Sequence, residues 1–113
     1  MRIKINNTEY GIRIVKENDE HLKMEDGYFH FGVCDMKYKV IYIMEKLPEG
    51  TLDYVIKHEI VHAYIDSYGF LQVNYTDEII ADFIATYMEN IDRDYLKVYK
   101  YYIKEEFGWK DKK

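Results

Sequence analysis

The sequence is poor in the residues that staple or punctuate a chain. Cys34 is the only cysteine among 113 residues, so no disulfide can form within the chain. With one proline and six glycines there is no Pro- or Gly-rich linker, and residues 1–113 read as a single compact domain. No apolar run approaches the ~18 residues that a membrane span needs. The polar, alternating start Met1-Arg2-Ile3-Lys4-Ile5-Asn6 lacks the apolar stretch of a secretion signal. These absences predict a cytoplasmic protein with no membrane partner. No long run of Lys and Arg occurs, and the net charge is −5. That argues against nucleic acid as a partner, since phosphate binding draws on clustered cations. The basic end (Lys110, Lys112, Lys113) reads as a solvated tail. A glycine-rich phosphate loop and a serine-centred elbow are missing too.

What is present is enough for a packed core, at 48% hydrophobic residues. Tyrosine is abundant, with 13 residues spread along the whole chain, which suits half-buried positions better than one binding surface. Residues 2–5 and 10–15 alternate apolar and polar side chains, the period of a half-buried strand, with a turn between them. Residues 16–27 form a charged loop with one helical turn near residues 20–24. Residues 28–34 alternate again, and residues 37–44 carry the strongest strand signal. On a straight strand His30 and Cys34 share a face but stand roughly 13 Å apart, too far for one ion without a bend. His21 and His30 therefore read as solvated, and Cys34 as a partly buried thiol.

Thr51 is a plausible cap for a helix that runs to about Tyr68 and closes at Gly69. Apolar residues lie on nearly all its sides, so it should be the central helix. Thr76 caps a second helix, to about Asn90, with Ile80, Phe83, Ile84 and Tyr87 in its apolar stripe. Ala81 and Ala85 are small enough to permit a close helix approach. Asn90-Ile91-Asp92 breaks the pattern. A third helix spans about residues 93–107, with Leu96, Tyr99, Ile103 and Phe107 inward and Gly108 closing it. The expected fold class is α+β: an N-terminal antiparallel sheet of about four strands followed by three helices.

The central helix carries His58-Glu59-Ile60-Val61-His62, a match to H-E-x-x-H. Residues four apart on a helix lie on one face, so both imidazoles can address one metal ion, with Glu59 beside them as general base. A chain of this length shows the pattern by accident on the order of once in a few hundred. Catalytic zinc takes a third protein ligand, and the downstream acids supply the candidates. Glu78 lies in the first turn of the returning helix, within reach across the intervening loop, and Asp77 is the alternative. First-turn acids also suit the helix dipole. Asp82 lies on a mostly apolar face, where it fits a carboxylate bonded to the far nitrogen of a ligand histidine.

HEIVHAYIDSYG followed by DEIIADFIA resembles the short gluzincin-like zinc metallopeptidases of phages and mobile elements. It is similar to the family that cleaves phage repressors, whose third-ligand motif reads roughly E-x-x-A-[ND]-x-F-A. Glu78, Ala81, Asp82 and Ala85 match that motif. Ile84 stands where Phe is usual, and Phe83 comes one place early. Residues 32–43 also resemble the family's edge-strand region. The resemblance implies a zincin-like fold with the motif on the first long helix, and Zn2+ held by His58, His62 and Glu78. It implies Glu59 as the general base and a peptide or protein as substrate. The expected function is a zinc-dependent peptidase. The alternative is a non-catalytic or latent zinc-binding regulatory module on the same scaffold. Tyr64, Tyr68 and Tyr75 are candidates to stabilise the oxyanion, and strand 37–44 is a candidate edge for an extended peptide.

Overall fold

The computed structural model describes residues 1–69 and 74–107, with the backbone alone for Phe107. The chain order is β1 (Arg2–Ile5), β2 (Thr8–Val15), a 3-10 turn at Glu20–Leu22, β3 (Gly32–Asp35), β4 (Val40–Met44), α1 (Glu49–Ser67) and α2 (Asp77–Phe107). Asn6 and Asn7 join β1 to β2 with φ of 49° and 64°, the left-handed pair that a tight hairpin demands and that Asn tolerates. The alternation of the first strands holds: Ile3, Ile5, Tyr10 and Ile12 are all buried.

The sheet is mixed rather than antiparallel. Its order is β1-β2-β4-β3, and β2 and β4 run parallel, with Ile12 opposite Ile41 and Ile14 opposite Ile43. The chain crosses from β2 to the far side of the sheet before entering β3. The β3–β4 hairpin then returns β4 in the direction of β2, between the two. Period-two alternation fixes which face a residue takes but carries no information about which strand lies beside it. Val40–Met44 is thus an inner strand, not an edge, and β3 and β1 are the edge strands among the described residues.

There are two helices among the described residues, not three. Asn90-Ile91-Asp92 does not break α2, which continues for 31 residues. Neither Gly nor Pro interrupts it, and Asn and Asp cost a helix only a few tenths of a kcal/mol, roughly 0.7 at most. Burial of Ile91 outweighs that. The inner face of its second half is Ile91, Asp94, Val98 and Tyr102, while Leu96 is half exposed. The closing Gly108 and the Phe107 side chain lie outside the described residues. At the start of α1, Pro48 rather than Thr51 stands at the cap, its carbonyl accepting the Leu52 N–H at 2.8 Å. Gly69, at φ 78°, follows the last turn as expected.

Helix α1 lies between the sheet and α2. Leu52, Val55, Ile56, Glu59, Ile60, Ala63 and Tyr64 are buried, a continuous i, i+3, i+4 stripe. Tyrosine hydroxyls fasten it. Tyr10 on β2 donates to Asp66 at 2.8 Å, and Lys39 reaches the same carboxylate at 2.6 Å. Tyr64 donates to the buried Asp94 of α2 at 2.5 Å, Tyr95 of α2 donates to Asp53, and Tyr102 donates to the Met44 carbonyl at 2.6 Å. Among the described residues no buried side-chain nitrogen or oxygen lacks a partner. No helix among them is long and apolar enough to cross a membrane.

Tyr64→Phe should leave the Asp94 carboxylate buried without its donor and destabilise the fold by about 1–3 kcal/mol in urea titration. A loss below about 0.3 kcal/mol would contradict this role for the Tyr64–Asp94 bond.

Candidate metal centre

Helix α1 sets His58 and His62 one turn apart, and the two Nε2 atoms converge to 3.1 Å. The rings meet edge to face with centroids 4.7 Å apart. Two nitrogens bound tetrahedrally at 2.0–2.1 Å from a zinc ion would stand about 3.4 Å apart, so the pair fits one ion with a small rotation. His62 is half-buried, and burial, then the neighbouring His58, holds its pKa below the ordinary value. That favours the neutral imidazole, the form that ligates. His58 is exposed and opens the site to solvent.

Glu59 lies beneath β3 and is only 6% exposed. The strand comes this close because residue 32 is glycine. A Cβ there would fall 2.7 Å from Val55 Cγ1 and 3.1 Å from Glu59 Oε2. Burial raises the Glu59 pKa to about 7, against the Cys34 backbone N–H that bonds its carboxylate and the nearby His30. Burial, and then that same carboxylate, pushes the Cys34 thiol up to about 12. A thiol held protonated is no nucleophile at neutral pH.

A cleft opens over these residues between β3 and α1, in two adjoining lobes of about 290 Å³ each. Cys34 and His62 line one lobe and Tyr54 and Val55 the other; His30, Gly32, His58 and Glu59 border both. Volume does not single it out, since an apolar groove between α1 and α2 reaches about 430 Å³. The titratable groups do.

His30 is the site residue that sequence reasoning missed. The strand begins only at Gly32, and the chain before it turns at Asp26-Gly27, with Gly27 at φ 85°. Asp26 accepts the Tyr28 N–H on one carboxylate oxygen and bonds His30 Nε2 at 2.9 Å with the other. The backbone N–H of His30 donates to the Leu22 carbonyl at 2.8 Å. The Asp-Gly pair was the available signal for this turn. Tyr54, one turn before His58 with ring centroids 5.5 Å apart, also faces the cleft.

The downstream acids stand elsewhere. Asp77, Glu78 and Asp82 are exposed on the first turns of α2 and do not line the cleft. Ala81 and Ala85 are exposed too, so the close helix approach expected of them is absent. Among the described residues no three His, Cys, Asp or Glu side chains converge as a metal-binding group. Tyr64 is turned to Asp94, and Tyr68 packs on Tyr64 and Tyr87. No known family model, curated protein or solved structure matches the chain.

The raised pKa of Glu59 has a definite stability sign. Its carboxyl titrates near 7 when folded against 4.5 as its ordinary value. Folding is therefore favoured while the group is protonated, below pH 4.5, and loses stability as pH rises through 7. In chelator-treated protein, Glu59→Gln should raise stability at pH 8 by up to roughly 3 kcal/mol, with little gain at pH 4. Equal effects at the two pH values would contradict the buried, protonatable carboxyl.

Proposed function

We propose that the chain is a zinc-dependent peptidase of zincin-like architecture, working in the cytoplasm on a peptide or protein substrate. One observation carries the reading: two imidazole nitrogens 3.1 Å apart beside a buried carboxyl that titrates near 7, in a cleft bordered by a sheet edge. The resemblance of HEIVH and of the Glu78–Ala85 stretch to the gluzincin-like family agrees with it. His58 and His62 would hold the metal, and α2 would have to carry Glu78 from its exposed place outside the cleft to complete the set as third ligand, with Asp82 behind it. Zinc, when bound, polarises a scissile carbonyl and acidifies a water molecule.

Glu59 takes the proton of the attacking water and delivers it to the leaving amine. Burial under β3 raises the Glu59 carboxyl above the ordinary carboxylate range in the metal-free protein, which makes it a stronger proton acceptor than an exposed glutamate. His30, oriented by Asp26, donates to the carbonyl oxygen as negative charge grows there. Among the described residues β3 pairs with β4 alone, so an extended substrate adds along its outer edge, beside Glu59.

After zinc supplementation, the purified protein should carry close to one zinc per chain, and His62→Ala should lose it. Glu59→Gln should keep the metal while cleavage of a denatured protein falls by about 10²–10⁴-fold. Glu78→Ala should weaken zinc binding, and Asp77→Ala should not. His30→Ala should slow cleavage with zinc retained. Wild-type protein without zinc, or full cleavage by Glu59→Gln, would overturn the assignment. Zinc lost from His30→Ala but kept by Glu78→Ala would make His30 the third ligand.

A further inference from the structure

Helix α2 is as long as the longest dimension of the molecule. Its 31 residues correspond to about 46 Å at 1.5 Å per residue, and the longest dimension of the molecule is 46 Å. The second half is held by Ile91, Asp94, Val98 and Tyr102, all buried. In the first half Phe83 and Tyr87 pack against the core while only partly buried, and the neighbouring stripe is left open. Ile80, Ile84 and Met88, each one turn from the next, are 46%, 50% and 53% exposed. With Val61 and Ile65 of α1 they line an open, almost wholly apolar groove of about 430 Å³. An apolar stripe this exposed on a helix marks a surface built to be covered.

The charge around the groove has one sign. From His58 to Asp92 the sequence contains no Lys or Arg. Over the same half of α2, Asp77, Glu78, Asp82, Glu89 and Asp92 are all exposed. By helical spacing Asp77 precedes Ile80 and Ile84 by one and two turns, Asp92 follows Met88 by one turn, and Glu89 flanks the stripe. A second copy of this chain laid in the groove would set acid against acid, as would any acidic partner.

We propose that this groove docks an amphipathic helix of a partner protein, about three turns long, whose apolar stripe is flanked by Lys and Arg. Its apolar side chains fill the space between α1 and α2, and its cations meet the acidic border. This is the helix-in-groove mode of recognition. The proposal rests on the groove alone and not on zinc or peptidase chemistry, so each can fail without the other.

The test uses the full chain and three synthetic peptides of about 14 residues. One combines Leu and Lys at helical spacing, one replaces every Lys by Glu, and one scrambles the Leu/Lys order so that no face is apolar. Calorimetric titration should show the Leu/Lys helix binding at least about tenfold more tightly than the other two. Binding should weaken as salt rises from about 0.05 to 0.5 M. Ile84→Asp should weaken it by at least about tenfold. Ile84→Ser is the milder substitute if circular dichroism shows that the Asp variant has lost helix. The double substitution Glu89→Lys and Asp92→Lys should shift preference toward the Leu/Glu peptide. Equal binding of the scrambled peptide would overturn the proposal, as would insensitivity to Ile84→Asp. Failure of the Leu/Lys helix to bind would overturn it as well. A dimer in sedimentation equilibrium that Ile84→Asp abolishes and the peptide does not displace would assign the groove to a second copy.

Discussion

The close approach of β3 to α1 at Gly32 is the constraint on which the site depends. Any side chain there would collide with Val55 and Glu59. Because it is absent, an edge strand can lie directly over a carboxylate, exclude water from it and hand it one backbone N–H, that of Cys34. Desolvation disfavours the ionised form more than one hydrogen bond favours it, and the carboxyl titrates near 7 instead of 4.5. The same contact raises the walls of the cleft, since β3 forms one side and the histidine face of α1 the other. It also keeps Cys34 a neutral thiol, because a second anion beside Glu59 in a dry site would be costly.

That approach holds only if α1 can neither slide nor rotate against its neighbours, and the tyrosines provide the restraint. At the C-terminal end of α1, Tyr10, Lys39 and Ser67 converge around Asp66, while Asn6 bonds the Ser67 carbonyl. Burial, above all, pushes the Tyr10 hydroxyl up to about 12, so it remains a protonated donor at neutral pH. Along its length α1 is tied to α2 through Tyr64–Asp94 and Asp53–Tyr95. Each of these rings packs among apolar side chains while its hydroxyl meets a polar group that burial would otherwise leave stranded. Tyr10, Tyr64, Tyr95 and Tyr102 thus serve as rings with fixed hydroxyl partners, while Tyr28, Tyr38, Tyr54 and Tyr75 are exposed.

The sequence was legible where the signal is local. Alternation at Ile3, Ile5, Tyr10 and Ile12 located the first hairpin, and the i, i+4 pair in HEIVH located a helix face that carries both histidines. It was not legible where the structure depends on pairing across the chain. Nothing in the residues of β4 states that it lies parallel to β2. His30 was judged on a straight strand, roughly 13 Å from Cys34, but the strand begins only at Gly32 and the chain bends at Phe31, between the two. The inner face of α2 was legible only in part, since Tyr99 and Ile103 pack against the core as expected while Leu96 is half exposed. Leu96 outranks Tyr102 and Asp94 on hydrophobicity, yet Asp94 is buried because Tyr64 waits for it and Tyr102 because Met44 and Leu47 do.

The continuity of α2 links the two surfaces that matter most. Glu78 stands on the same unbroken helix as Ile80, Ile84 and Met88, and that helix is fixed at the far end by Ile91, Asp94, Val98 and Tyr102. Without Gly or Pro, α2 moves as a rod unless it bends. The weakest point for a bend is Asn90-Ile91-Asp92, where two residues of low helix propensity flank a buried isoleucine. Phe83 and Tyr87 of the same helix pack against the core, Tyr87 on the rings of Tyr64 and Tyr68, so the arm that carries Glu78, Ile80 and Ile84 is tied to α1 by aromatic contacts rather than left free to swing.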